Sequence, residues 1–227
     1  MSAAFSASAV WFSVFCLPLG ICAYANTFVA QYQGDHQPHR IGPSTWQGVW
    51  AAALCFPLVW IAVPLAPAIF AFAGHGETVT AHEIEYFQIL CWGGPGMLVS
   101  AALAAFYSGR GKTRVVMTVD VSFTLVNLVL DYLWIFGHAG FPAMGVAGAA
   151  WATVVAFWLK AGMYALLVLQ PRYRDQFQTL AGIRPDWKLL ARLFYFGGPS
   201  GAQMLLDVLG WTIFILLVGR LGSLETE

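Results

Sequence analysis

The sequence predicts an all-α integral membrane protein with about six transmembrane helices, and three observations lead to this prediction. The first is that hydrophobic residues make up 59% of the 227 positions, with a mean hydropathy of +0.69. The second is that charged residues make up only 10%. A soluble domain needs about a quarter of its residues charged to cover its surface, so most of the surface of this chain must face lipid. The third observation is that the apolar residues fall into six runs, each long enough to cross a bilayer.

The predicted helices follow from the length of these runs, since a span needs roughly 20 apolar residues to cross about 30 Å of hydrocarbon. In chain order they are predicted at residues 7–31, 46–72, 86–106, 114–136, 144–169 and 193–220. The second and third helices contain Pro57, Pro64, Pro67 and Pro95. We expect kinks at these prolines, because neighbouring helices in a membrane bundle satisfy the carbonyl groups that a proline leaves free.

Basic residues lie in alternate loops, which predicts the orientation of the chain. The first, third and fifth loops hold nine of the eleven Lys and Arg residues, whereas the second and fourth loops hold none. The positive-inside rule therefore makes the first, third and fifth loops cytoplasmic and places both ends of the chain outside. No basic signal peptide precedes the first run. We therefore expect one preceding helix to be absent and the chain to be a fragment or a truncated product.

Several function classes are excluded by composition and motif. The formal net charge is zero, so no basic field is present to attract nucleic acid. The second loop carries His75, Glu77, His82, Glu83 and Glu85. These side chains lack the spacing of a zinc protease, and we interpret them as part of a solvated extracellular loop. With no nucleophile–base set and no metal motif, we expect neither an enzyme nor a cofactor.

Four polar residues form a stripe on the fourth predicted helix. Asp120, Thr124, Asn127 and Asp131 are spaced four, three and four residues apart, which places them within about a 60° arc. Polar groups inside spans are costly, so the stripe must face a cavity or another polar helix. Asn127 and Asp131 offer an amide oxygen and a carboxylate to a proton or a sodium ion. The alternative is a hydrogen-bond network that only holds helices together. Asp120 is interpreted as a hydrated residue near the helix end.

Other ionisable groups lie within the last two predicted helices. Ser200, Gln203 and Asp207 share one face of the sixth helix, where Asp207 with Gln203 is a candidate substrate or proton site. Lys160, in the fifth helix, has two interpretations. It either pairs with one of the buried acids or extends its stem towards the interface, and the second interpretation is favoured.

The fifth loop, residues 170–192, is the longest connection and the only one rich in charges of both signs. It is therefore the natural boundary between two helical bundles. Within it, residues 185–193 are predicted to form a short amphipathic helix along the cytoplasmic surface.

Four stretches of the sequence resemble the multidrug and toxic compound extrusion (MATE) family. Residues 26–31 (NTFVAQ), with Gly34, resemble the end of the second helix of that family, and residues 106–114 resemble the loop after its fourth helix. The most specific stretch is residues 127–132 (NLVLDY) with residues 140–153, which is similar to the junction of the fifth and sixth helices. Gly198-Pro199, followed by Gln203 and Asp207, resembles the start of the seventh.

The resemblance implies a fold and a function. It implies twelve helices in two six-helix lobes, of which this chain supplies helices two to seven, and an antiporter that exports amphipathic, often cationic, compounds in exchange for Na⁺ or H⁺. It also implies that Asn127 and Asp131 match the cation or proton site of the N-lobe. Asp207 matches an acid, usually glutamate, in the first helix of the C-lobe. The alternative is a membrane scaffold without transport activity, or a truncated inactive product.

The same resemblance implies the domain organisation, partners and location. Residues 1–169 are the N-lobe without its first helix, residues 170–192 are the cytoplasmic linker between the lobes, and residues 193–227 are the first helix of the C-lobe. The expected partners are the lipid bilayer, small-molecule drugs or metabolites, and the missing C-lobe helices that activity requires. The expected location is the bacterial inner membrane.

Overall fold

The structure is a bundle of α-helices that follows the predicted order of apolar runs. A computed structural model of the protein describes residues 2–73 and 77–224, and within those residues the regular secondary structure is helical, with no strand. The first six helices are α1 (Ser2–Ala23), α2 (Ala25–Gly34), α3 (Ile41–Leu54), α4 (Pro57–Ala73), α5 (Glu77–Cys91) and α6 (Gly94–Ser108). The remaining helices are α7 (Thr113–Phe136), α8 (Gly145–Val168), α9 (Pro171–Phe177) and α10 (Trp187–Leu224).

The prediction of an all-α integral membrane protein is confirmed. Four helical stretches in the described residues have the length and composition to cross a bilayer, namely Ala4–Gly34, Pro38–Ala71, Thr113–Phe136 and Gly145–Val168. The pair α5 and α6, bent by 41° at its break, is a fifth if it forms one span. The sixth predicted segment lies within α10, a helix of 38 residues.

Two of the four predicted kinks are complete breaks between helices. Pro57 is the first residue of α4, and Pro95 is the second residue of α6. A proline has no N–H to donate and is tolerated in the first turn of a helix, where that donor would have no partner. Pro64 and Pro67 lie inside α4 without ending it. A further break at Tyr24, between α1 and α2, coincides with no proline.

The core of the bundle is organised around α1, which packs against α3, α5, α6 and α10. Its fully buried aromatic side chains include Phe15 of α1 and Phe87 of α5. Small residues allow the closest approach, at the crossing of α1 and α10. A Cβ atom on Gly20 would lie 2.5 Å from the Cα atom of Gly201, so neither position tolerates a side chain without moving a backbone.

The three basic loops meet at one end of the bundle. The indole of Trp46 in α3 donates a hydrogen bond of 2.7 Å to the carbonyl of Thr179, after α9. From the third loop, the Arg110 guanidinium lies 3.8 Å from the ring centre of Phe106 and 4.5 Å from that of Phe177 in α9. Burial lowers the pKa of Arg110 from its ordinary value. These contacts place the loops on one side, as predicted, and the cytoplasmic assignment of that side stays a prediction.

Two loop predictions are wrong. Glu77 begins α5, so the acidic segment predicted as a solvated loop is helical from that residue onwards, while His75 lies outside the described residues. Glu83 is fully buried and accepts a hydrogen bond from the Ser6 hydroxyl of α1. The predicted surface helix at 185–193 is also not separate. Its residues from Trp187 onwards form the first turns of α10, which therefore begins before residue 193.

Candidate functional site

Three of the four residues of the polar stripe on α7 line a cavity between α7 and α8. α7 lies at the edge of the bundle, where Val119, at 7% exposure, is its one buried residue, and it packs mainly against α8. Between the two helices is a cavity of about 150 Å³. From α7 it is lined by Asp120, Thr124 and Asn127, and from α8 by Thr153 and Lys160.

Lys160 and Asp120 form an ion pair across this cavity. The Lys160 ammonium is 3.5 Å from the Asp120 carboxylate, and the side chains are 23% and 48% exposed. The Tyr164 hydroxyl of α8 donates a hydrogen bond of 3.0 Å to the same carboxylate oxygen. The favoured interpretation of Lys160 is therefore wrong, because Lys160 pairs with an acid. Asp120 is half-exposed, as expected of a hydrated residue, but it is also joined to α8. An intramembrane charge is stabilised when a partner of opposite sign lies beside it.

Asn127 and Asp131 differ from Asp120 because they have buried polar atoms without partners. The Asn127 side-chain nitrogen and the Asp131 Oδ1 are buried, and neither has a hydrogen-bond partner within the part of the chain that is described. They are one turn apart on α7, as the sequence predicted. A buried carboxylate oxygen without a donor is a group that a proton or a hard cation would satisfy. The Asp131 carboxylate therefore fits a proton or a sodium ion, whereas the partnerless Asn127 atom is a donor, so that only the amide oxygen of Asn127 can serve as a ligand.

Asp207 and Gln203 are not brought together with this site. Both side chains are exposed on α10, which packs against α1 and α3, whereas α7 packs against α8 and α6. The two side chains share one face of α10, but no hydrogen bond joins them in the described structure. The structure therefore contains two separate groups of candidate residues, one in the groove between α7 and α8 and one on the exposed face of α10.

A second polar stripe, on α8, was not recognised from the sequence. Thr153, Lys160 and Tyr164 are spaced seven and four residues apart, which places them within about 40° on the helix. The same spacing criterion that identified the stripe on α7 finds this one when Tyr164 is counted as polar. Gly148 of α8 allows the two helices to approach closely, because a Cβ atom there would lie 2.7 Å from the Trp134 carbonyl oxygen of α7.

Buried Glu83 was also missed. Its burial could not be recognised from the sequence, because neighbouring Glu77, Glu85 and His82 make the segment resemble a solvated loop. His82 and Glu85 are exposed and lie 3.9 Å apart, whereas Glu83 points to α1. Which of these acids is buried depends on the packing of α5 against α1, and the composition of the segment does not contain that information.

Comparisons with known proteins agree with this architecture. The sequence profile of the MatE family matches residues 1–133, a range that includes Asn127 and Asp131. A probable multidrug resistance protein NorM of Rhizobium meliloti (strain 1021) is 30% identical over 99% of this chain and 48% of its own length. A multidrug resistance protein MdtK of Klebsiella pneumoniae is 27% identical over 99% of this chain and 50% of its own. The chain thus spans about half the length of the curated relatives it matches.

Solved structures show the same fold. The crystal structure of the eukaryotic MATE transporter AtDTX14 aligns with a TM-score of 0.82 at 20% identity, over 96% of this chain and 48% of that one. An inward-facing multidrug resistance MATE family transporter of the MOP superfamily aligns with a TM-score of 0.74 at 21% identity, over 91% of this chain and 47% of that one.

Proposed function

Because the chain belongs to the MatE family, a family of membrane transporters, we propose that it forms part of a secondary active multidrug antiporter. In this proposal it supplies helices two to seven of a two-lobe exporter, and it exchanges Na⁺ or H⁺ for amphipathic, often cationic, compounds. The relatives named as multidrug resistance proteins support the class of substrate. We assign no catalytic group, since transport needs binding and a conformational change and breaks no covalent bond.

The observation that carries the proposal is the buried Asp131 oxygen without a partner, one turn from Asn127. A carboxylate in this setting binds a proton or Na⁺ and becomes neutral, whereas without the ion it carries an uncompensated charge. The ion-bound and ion-free carboxylates differ in the free energy needed to bury them. Ion binding therefore favours one arrangement of the lobes over the other. That difference in free energy is what couples the ion gradient to export.

The groove between α7 and α8 gives the ion a polar route. Asp120, Thr124 and Asn127 line one cavity along α7, and Asp131 follows one turn beyond Asn127. Lys160, paired with Asp120, holds a positive charge inside this route. We assign Asn127 and Asp131 to ion coupling, and we assign Asp207 with Gln203, on α10, to substrate or proton binding.

Efflux from proteoliposomes tests the proposal. The chain alone is compared with a full-length protein in which the flanking segments of the Rhizobium meliloti relative complete the chain at both ends. We expect the full-length protein to export a fluorescent organic cation when a Na⁺ or H⁺ gradient is imposed, and to lose export when the gradient is collapsed. The chain alone should give no efflux, because half of the cavity is missing.

Three results would contradict this proposal. Efflux from the chain alone would refute the need for a second lobe. Export by the full-length protein that does not depend on any ion gradient would refute antiport. No export by a folded full-length protein would favour the alternative, a membrane scaffold or inactive product.

A further inference from the structure

A basic cavity lies at the loop end of the bundle, separate from the groove between α7 and α8. Its volume is about 360 Å³, and it is lined by the turn between α2 and α3 and by the start of α10. The turn contributes His39 and Arg40, and α10 contributes Lys188 and Arg192. Neither the ion site nor the candidate substrate site uses any of these residues.

Aromatic rings hold two of the cations in place. The Arg40 guanidinium lies 5.6 Å from the ring centre of Tyr32, and the Arg192 guanidinium lies 5.6 Å from that of Phe28. Both distances are within the ~6 Å over which a cation is attracted to an aromatic face. The rings order the two side chains, while the N–H groups of the guanidinium remain available to an acceptor.

Within the part of the chain that the structure describes, these cations form no ion pair with a carboxylate. Asp186 is the one acid that lines the cavity, and its Oδ1 already accepts hydrogen bonds from the backbone N–H groups of Lys188 at 3.0 Å and Leu189 at 3.2 Å. Among the described residues, no carboxylate lies within 4.0 Å of the side-chain nitrogens of Arg40, Lys188 or Arg192. Three permanent positive charges therefore face one acid that caps α10, and the cavity has an excess of positive charge.

We propose that this cavity binds the phosphate group of an anionic phospholipid. Lys188 and Arg192 are one turn apart on α10, and the next positions on the same face are Tyr195 and Phe196, which are 75% and 44% exposed. A phosphate held by the cations places its acyl chains along these aromatic side chains, which lie about 5 Å beyond Arg192 along the helix. Basic pockets between helix ends at the cytoplasmic side of a membrane bind lipid headgroups in this way. A soluble phosphate would satisfy the charge but would leave the aromatic face uncovered.

The bound lipid joins two parts of the chain. Arg40 belongs to the connection between α2 and α3, and Lys188 with Arg192 belongs to the start of α10, so one headgroup bridges them. The lipid therefore stabilises the position of α10 against the bundle. This effect does not depend on ion coupling, and it is measured on the chain itself.

Native mass spectrometry and thermal unfolding of the purified chain test the proposal, with phosphatidylglycerol and phosphatidylcholine as probes. We expect wild type to bind phosphatidylglycerol more tightly, to be stabilised by it, and to lose this preference as NaCl is raised. Arg40→Gln and Arg192→Gln should each weaken phosphatidylglycerol binding about fivefold. The matched control is Arg184→Gln, an exposed cation at the same end of the bundle that does not line the cavity, and it should leave the affinity unchanged.

The outcomes separate the possible ligands. Equal binding of both lipids by wild type at low salt would overturn the proposal without any variant. An equal loss in Arg184→Gln would show a general effect of surface charge and would also overturn it. If millimolar inorganic phosphate stabilises the chain as well as the lipid does, the ligand is a soluble phosphate and the lipid assignment is wrong. Should a Gln variant fail to fold, Arg40→Lys and Arg192→Lys retain the charge and must retain the lipid preference.

Discussion

The bundle of α1 to α6 and the pair of α7 and α8 treat buried polar groups differently. In the bundle, Gln47 illustrates the pattern: its amide donates to the carbonyls of Pro43 and Arg184 and accepts from the Asp186 N–H. In α7, Asn127 and Asp131 have buried atoms without partners. A buried polar group that finds partners within the protein serves packing, whereas one without partners is available to a ligand. Whether a buried polar group has a hydrogen-bond partner therefore distinguishes packing from ligand binding, which the residue type alone does not.

Some buried polar groups outside α7 and α8 also lack partners. The Trp11 indole nitrogen and the Thr179 hydroxyl, which belong to the packed region, are also buried without partners. Trp11 and Thr179 are neutral, and leaving a neutral donor without a partner costs less than leaving a carboxylate. Arg110, between α6 and α7, is charged and also has a buried nitrogen without a partner, but its guanidinium lies against the rings of Phe106 and Phe177, which attract a cation. The charged member of the set on α7, Asp131, is therefore the strongest functional candidate.

The largest effect is expected for Asp131→Asn. This substitution removes the buried charge on α7 that has no partner and that we assign to ion coupling. In the full-length protein, ion-coupled efflux should fall by about 10- to 100-fold, because Asn binds neither a proton nor a cation as a carboxylate does. Asn127→Ala should weaken coupling less. Efflux at a fixed ion gradient measures the effect, and Ser122→Ala, outside the stripe on α7, is the control. Full coupling in Asp131→Asn would remove this residue from the mechanism.

The sequence alone predicted the helices and the residues of the stripe on α7. It did not predict which polar side chains contact one another across helices. Apolar runs predicted the spans, and the prolines marked the positions at Pro57 and Pro95 where we expected kinks and the structure has breaks, since both signals are local. The pairing of Lys160 with Asp120 was missed, because it depends on the rotation of α8 relative to α7. The burial of Glu83 was missed for the same reason, since its partner Ser6 is far away in the chain.

The same substitution, glycine to leucine, should have different effects in α1 of the bundle and in α8. Gly20→Leu, at the crossing of α1 and α10, forces a side chain against the backbone of Gly201 and should destabilise the fold by roughly 1–3 kcal/mol. Gly162→Leu, on α8, meets open space and should change the free energy of unfolding by less than about 0.5 kcal/mol. Thermal unfolding in detergent measures both variants. Equal destabilisation would show that α8 is as tightly enclosed at Gly162 as α1 is at Gly20.

A smaller effect is expected for the ion pair between α7 and α8. Lys160→Met and Asp120→Asn each remove one partner, and a double-mutant cycle isolates their interaction. Because the Asp120 side chain is 48% exposed, we expect a coupling of about 0.5–1 kcal/mol in stability. Tyr164→Phe removes the second hydrogen bond to the carboxylate and serves as the comparison. Additive effects of Lys160→Met and Asp120→Asn would mean that the pair contributes no interaction energy.

The smallest effect on stability is expected at Asp207, on the exposed face of α10. Neither Asp207 nor Gln203 has a hydrogen-bond partner in the described structure, so Asp207→Leu should change the free energy of unfolding by less than about 0.5 kcal/mol. Transport should respond differently, since the proposed function makes Asp207 a substrate-binding carboxylate, which attracts cationic compounds. In the full-length protein, Asp207→Asn preserves shape but not charge, and we expect it to weaken export of a cationic dye several-fold more than export of a neutral one. The ratio of the two efflux rates is the measurement, with Leu206→Ala, an exposed residue of α10 outside the candidate site, as the neighbouring control. An unchanged ratio would exclude Asp207 from cation binding, whereas a loss of folded protein in Asp207→Leu would assign it to packing.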